Sequence, residues 1–251
     1  METGRFQLTD GAWDRRRAFV VGGGPSLKKF DWNWLSKEER VIVVNMAFKD
    51  VPNAAVFFTE DYRVIELANR NPELREKWKA FKGYKVFHAL DQSYIAPMLK
   101  LDPSLFVIER KRQDKFWAKS MPEGLSYSSN SMIGALNLVG ILGAAPIYLM
   151  GIDCNRRYVG GKETNYHTEY EQAGFDRTGD SQYESFANDF RYWAAYHMRD
   201  RQVYNLNSDS AVRCWPKWSG GYNEFFEAGC PAIPDVLETY ADVVPKLGAM
   251  K

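Results

Sequence analysis

The residues best suited to chemistry in this chain sit in one loop and at the ends of several apolar runs. The stretch AFVVGGGPSLKKF, residues 18–30, breaks an apolar run with Gly22, Gly23 and Gly24, then adds Pro25, Ser26 and a lysine pair. Glycines at a strand end let the backbone approach an anion, and Pro25 is preorganised for a first helical position. Free N–H groups and the Ser26 hydroxyl would then face a phosphate. A tight strand-to-helix turn with no ligand would use the same residues. Two standard phosphate loops fail on this stretch. A P-loop needs Gly-Lys-Ser/Thr where Leu27, Lys28 and Lys29 stand. The dinucleotide fingerprint matches at Gly22 and Gly24, but Leu27 replaces its third glycine and Asn45 stands where an acidic ribose ligand should end the second strand.

Further polar residues follow apolar runs at equivalent places. Asn45 can both donate to and accept from a base or ribose. Thr59 and Glu60 end the next run, and Asp153 follows the run PIYLMG. In a parallel sheet, ligands lie outside the carboxyl ends of the strands, so Gly23, Asn45, Thr59 and Asp153 are expected to converge on one crevice. Taken singly, each is more simply a cap or turn residue; their shared position carries the inference.

The elements needed to position them are legible as alternating β-rich runs and helical periods. Strands are expected at 18–22, 41–45, 54–58, 84–90, 104–110, 146–151 and 202–207. Helices are expected across 59–81, over about 131–142 ending at Gly143, and over 183–200. A short helical stretch falls near DWNWLSKEE, and an irregular link joins the fourth and fifth strands. Gly134 and Gly140 suggest that the helix from 131 packs tightly on the sheet. The stretch 109–119, charged and without a clear apolar face, reads as an exposed loop or short lid. This alternation predicts a Rossmann-like α/β fold, a mainly parallel sheet with helices on both faces, in a single domain over 1–251. The polar, glycine-dotted segment 153–182 is expected to be an active-site loop or lid. The aromatic, Pro- and Gly-rich tail 214–251 is expected to wrap over the site, or over a partner subunit of a homo-oligomer.

Bulk composition narrows the function classes. Across 251 residues, 33 Lys and Arg oppose 32 Asp and Glu, so a net charge of +1 provides no global field for nucleic acid or anionic membrane. The 3 cysteines are far apart, with no C-x-x-C pair, which suits reduced thiols. With no signal-like apolar segment near residue 1 and no membrane-length run, a cytoplasmic protein without a membrane span is expected.

Several blocks resemble two related families: the bacterial lipooligosaccharide sialyltransferases of glycosyltransferase family 42, and the 6-hydroxymethylpterin pyrophosphokinase-like proteins, particularly their phage-encoded members. The matching pieces are GGGPSL (22–27), VVNMAF (43–48), AVFFTED (55–61), SNSMIGALNLVGILGAAPIYLMGID (129–153) and VYNLNSDSAVRCWP (203–216). The resemblance implies a GT-A-variant, sialyltransferase-like fold. In it the glycine loop and Asn45 hold a nucleotide, Thr59 lies near the ribose, and Ser131, with Ser129 and Asn130 beside it, lies near the phosphate or transferred group. The departures are Gly23 for an asparagine and Met46 for a glutamine. The family's phosphate-binding tyrosines are replaced nearby by Tyr158 and Tyr166, and Tyr183 stands near the place of its catalytic histidine. These argue against CMP-sialic acid as the donor.

Phage-type members tend to carry a histidine in the loop after G-x-D, as His167 does here. A near-neutral imidazole suits a general base that deprotonates an acceptor hydroxyl. Joining Asp153 around a divalent metal, or lying idle in a surface loop, are the other readings of His167. Arg156 and Arg157 could neutralise nucleotide phosphates. His88 and His197 read as structural. The resulting expectation is a glycosyltransferase with a nucleotide sugar as co-substrate, acting on a hydroxymethylated DNA base or a surface glycan, in the host cytoplasm if phage-encoded. The alternatives are a pyrophosphokinase with Mg²⁺ at Asp153, or a non-catalytic nucleotide-binding protein.

Overall fold

A computed structural model describes residues 7–38, 40–111, 116–154, 165–173 and 180–233. Its centre is a sheet of strands β1 (Ala18–Val21), β2 (Val41–Val44), β3 (Val56–Thr59), β4 (Tyr84–Ala89), β5 (Phe106–Glu109), β6 (Ile147–Met150) and β7 (Val203–Asn205). The spatial order is β5-β4-β3-β2-β1-β6-β7, and every pair is parallel. Runs such as VIVV in β2 are apolar at every position because helices cover both faces, and both alternate side-chain sets are buried.

The two faces build two cores. Val20, Ile42, Val44, Val56, Phe58, Val86 and Leu149 point to one, covered by α4 (Ser131–Ile141) and by Phe190, Trp193 and Ala194 of α6 (Asp180–His197). Phe19, Val21, Val43, Phe57, Phe87 and Met150 point to the other. It is covered by α1 (Tyr62–Arg70), α2 (Pro72–Ala80), α3 (Ile95–Leu101) and α7 (Tyr222–Glu227). The remaining α-helix among the described residues, α5 (Glu169–Gln172), lies in the loop after β6. Local signals fix the helix starts: Asp61 and Asn71 accept N-cap bonds for α1 and α2, and Asn130 accepts the Met132 N–H at the start of α4.

Three expectations change. The link between β4 and β5 is helical, with α3 inside it. The stretch 109–119 is not simply an exposed loop: Glu109 ends β5, while Phe116 and Ala118 are buried and Asn137 of α4 accepts from Ser126 and donates to the Ala118 carbonyl. Its residues 112–115 lie outside the described ones. Of the two α4 glycines, only Gly134 is required by crowding. A Cβ there would stand 2.4 Å from Glu60 Oε1, whereas at Gly140 the nearest neighbours are 3.8 Å away.

The tail lies against this chain's own sheet as far as it is described. Tyr222, Phe225 and Phe226 of α7 are buried in the second core, and the part from 234 to 251 is outside the described residues. No helix among the described residues is long and apolar enough to cross a membrane.

Candidate functional site

From β1 the chain order runs outward to β2 on one side and jumps to β6 on the other, which makes the carboxyl end of β1 the topological switch point. A crevice of about 450 Å³ opens there, lined by the glycine turn after β1, Asn45 after β2, Gly151 to Cys154 after β6, the start of α4, and one face of α6. Its size and position suit a small-molecule ligand.

Two of the three glycines are explained by packing against β6. Gly22 and Gly24 donate to the carbonyls of Met150 and Gly151 at 2.8 and 2.9 Å. A Cβ on Gly22 would meet the Gly151 carbonyl oxygen at 2.7 Å, and one on Gly24 would meet Asp153 Cγ at 2.6 Å. Gly23 faces the crevice instead: a Cβ there would lie 3.1 Å from Asn165 Oδ1 and 3.4 Å from His167 Nε2.

The expected phosphate cradle at Pro25 and Ser26 is already filled. Residues Pro25–Lys29 form a short 3₁₀ helix, and the Asp153 carboxylate closes its amino end. Asp153 Oδ2 accepts the Ser26 N–H at 2.8 Å, and Oδ1 accepts the Ser26 hydroxyl at 2.6 Å and the Asn207 amide at 2.7 Å. Burial raises the Asp153 pKa, with these hydrogen bonds opposing it. Asp153 therefore caps a turn, and Ser26 is spent on it. No group of three or more His, Cys, Asp or Glu among the described residues is arranged to hold a cation.

At the next strand end, Asn45 adopts φ +54°, and its Oδ1 accepts the Thr59 hydroxyl at 2.8 Å. The fully buried Thr59 thus sits behind Asn45, outside the crevice lining, and fixes the amide so that Nδ2 is left to donate. Glu60 is turned away from the crevice. Its Oε1 lies 2.9 Å from Nδ1 of the fully buried His88, under Gly134. Burial raises the Glu60 pKa, against the opposing effect of His88.

Ser129, Asn130 and Ser131 all line the crevice. Ser129 is tied by its N–H and hydroxyl to Asp189 of α6, and Asn130 caps α4, so the amino end of this eleven-residue helix opens into the cavity with Ser131 as its first residue. Arg156, Arg157 and Tyr158 lie outside the described residues.

His167 lines the same crevice. Its side chain is 1% exposed, Nε2 faces the Gly23 side of the crevice, and Nδ1 lies 3.3 Å from Glu169 Oε2. The approach is off-angle for a hydrogen bond, and neither atom has a hydrogen-bond partner. Glu169 Oε1 accepts from Lys49 Nζ at 2.7 Å. Burial works to raise the Glu169 pKa, but His167 and Lys49 outweigh it and hold the carboxyl at about 2. The loop is clamped on both sides of His167. The Tyr166 N–H donates to the Gly23 carbonyl and its hydroxyl to Asp50, while the rings of Tyr166 and Tyr170 make near-perpendicular contacts with the imidazole.

Sequence reasoning missed Lys49, Glu169, the crevice-lining pair Asp61 and Arg63, and the α6 wall with Tyr183 and Phe186. The signal for Glu169 was its place two residues after His167, although no local rule ties such a pair to Lys49. Cys154 also lines the crevice, but burial pushes its thiol up to about 12, so it is no nucleophile at neutral pH.

His167 Nε2 therefore stands beside a cavity at the sheet's switch point. Compared with protein-family models, curated proteins and solved structures, the chain matches none. The class defined by its fold is an α/β protein with an all-parallel, Rossmann-like sheet flanked by helices.

Proposed function

We propose that this chain is a transferase that moves a sugar from a nucleotide-activated donor to an acceptor hydroxyl, with His167 as general base. The observation that carries the reading is the imidazole of His167, buried, flanked by a carboxylate at Nδ1, and presenting Nε2 to the crevice at the switch point. In the transfer, Nε2 takes the hydroxyl proton as the acceptor oxygen bonds to the anomeric carbon. The bond from that carbon to the donor phosphate breaks, and its electron pair leaves on the phosphate. The resemblance to the family 42 sialyltransferases and their phage-encoded relatives supports a nucleotide sugar as donor and a glycan or a hydroxymethylated DNA base as acceptor.

Asp153 fills the turn at Ser26, so the donor's anionic group is assigned to the amino end of α4 around Ser131, in the crevice that His167 also lines. Asn45 Nδ2 donates to the base or ribose. The Mg²⁺-dependent pyrophosphokinase is the second reading, less favoured because Asp153 already accepts three hydrogen bonds as a cap.

The test is a thermal-shift panel of CMP, UDP, GDP, ADP and ATP, each with and without Mg²⁺. Stabilisation by a nucleoside mono- or diphosphate without metal, weakened in Asn45→Ala and kept in His167→Ala, is expected. No shift from any nucleotide removes the reading, and a shift by ATP that requires Mg²⁺ replaces it with the pyrophosphokinase. Full turnover in His167→Ala would remove His167 from the mechanism.

A further inference from the structure

His167 and Glu169 belong to a segment between β6 and α6, residues 165–173, that is held to the rest of the fold at several points. Lys49 and Asp50 follow β2, and both reach this segment: Lys49 Nζ grips Glu169 at 2.7 Å, and Asp50 accepts the Tyr166 hydroxyl at 2.7 Å. Glu169 is thus fixed through one oxygen, with the other set 3.3 Å from His167 Nδ1. A neutral imidazole carries its proton on one nitrogen only, and a carboxylate beside Nδ1 favours the proton there. A base needs the lone pair on the nitrogen that faces its substrate, and here that nitrogen is Nε2.

We propose that Glu169, held in place by Lys49, is a positioning residue that keeps the proton of neutral His167 on Nδ1 and its lone pair on Nε2, toward the crevice. The catalytic consequence rests on the transferase reading above; the tautomer itself does not. Glu169 stays ionised throughout the neutral range, as the role requires, because its carboxyl is held at about 2. The off-angle contact tightens when substrate fills the crevice, which is common for such pairs. The atoms balance: Nε2 gains the hydroxyl proton, Nδ1 keeps its own, and the imidazolium is stabilised by the Glu169 carboxylate.

The tautomer can be read without any ligand, from the ¹⁵N shifts of the three histidines above their titration range, with His167 assigned by its loss in His167→Ala. Wild type is expected to show a protonated Nδ1 and an unprotonated Nε2 for His167. Glu169→Ala is expected to mix the tautomers, and Glu169→Gln, whose single oxygen is held by Lys49 so that its NH2 faces Nδ1, to move the proton toward Nε2. A protonated Nε2 in wild type, or an unchanged pattern in Glu169→Ala, overturns the proposal. If Glu169→Ala does not fold, Lys49→Met is the second variant, with the same readout and the same overturning result. Where transfer is measured, Glu169→Ala should lower kcat on the order of 10-fold or more with the donor KM unchanged. The expected ¹⁵N pattern together with an empty nucleotide panel would leave this positioning intact and remove only the transferase.

Discussion

Ser26 and Asp153, 127 positions apart, are joined by two hydrogen bonds from one residue to one carboxylate, at 2.8 Å from the backbone and 2.6 Å from the hydroxyl. A protein carboxylate therefore stands where the sequence suggests a ligand phosphate, and the physics is similar: an acceptor at the Ser26 N–H and hydroxyl beside a glycine turn. It follows that Ser26 contributes to stability and not to affinity. Ser26→Ala should lower the unfolding free energy by about 1 to 2 kcal/mol, and Asp153→Ala by on the order of 3 kcal/mol. Urea denaturation measures both, and nucleotide Kd should be unchanged in Ser26→Ala; a large loss of affinity there would return the phosphate to this turn.

Gly23 and Gly24 should separate in the same way. Gly24→Ala drives a Cβ to 2.6 Å from Asp153 Cγ and 2.7 Å from the Gly151 carbonyl, where neither neighbour can yield cheaply. Gly23→Ala meets only two side chains, Asn165 and His167, at 3.1 Å or more. The first should cost roughly 2 kcal/mol or more of stability. The second should leave the melting temperature within a few degrees and suppress turnover by crowding Nε2. Thermal melts beside transfer assays distinguish them, and equal melting losses would sink the distinction.

Acid should weaken the fold through Glu169, with a definite sign. Its folded pKa of about 2 lies below the ordinary 4.5, so the folded state prefers the ionised form. The contribution is complete above about pH 4.5 and is lost as pH falls toward 2, at most about 3 kcal/mol in all. Burial shifts Asp153 and Glu60 the other way, so the whole-protein curve mixes signs. The difference between wild type and Glu169→Gln in urea titrations from pH 7 to pH 3 isolates Glu169, and it should shrink as the pH falls. A difference that is flat across this range refutes the assignment.

The strands were legible because their apolar runs are bounded by turn residues, most plainly in β1, β2 and β6, which are buried at every position. Asn45 and Asp153 were placed correctly at strand ends for the same reason. What each side chain does there was not legible, because it depends on partners distant in sequence. Asp153 meets Ser26 and Asn207, Asn45 is fixed by Thr59, and Glu169 is gripped by Lys49. The link containing α3 was missed because its seven residues hold Pro97 and only one buried side chain, Met98, which is too little for a helical period.

Glu60 supplies the last prediction, because strand-end position alone gave it the wrong partner. One residue beyond Thr59, its side chain enters the first core, where Oε1 lies 2.9 Å from His88 Nδ1 and fills the space that the missing Cβ of Gly134 leaves. Removing either partner strands the other in apolar surroundings, so His88→Ala and Glu60→Ala should each cost on the order of 3 kcal/mol. Both residues lie outside the crevice lining, so nucleotide affinity in the folded fraction should persist. Replacing both should cost less than the two single losses added together, since the double variant buries no lone polar group. A double-mutant cycle by urea denaturation measures this, and strictly additive losses would show that the pair is not coupled.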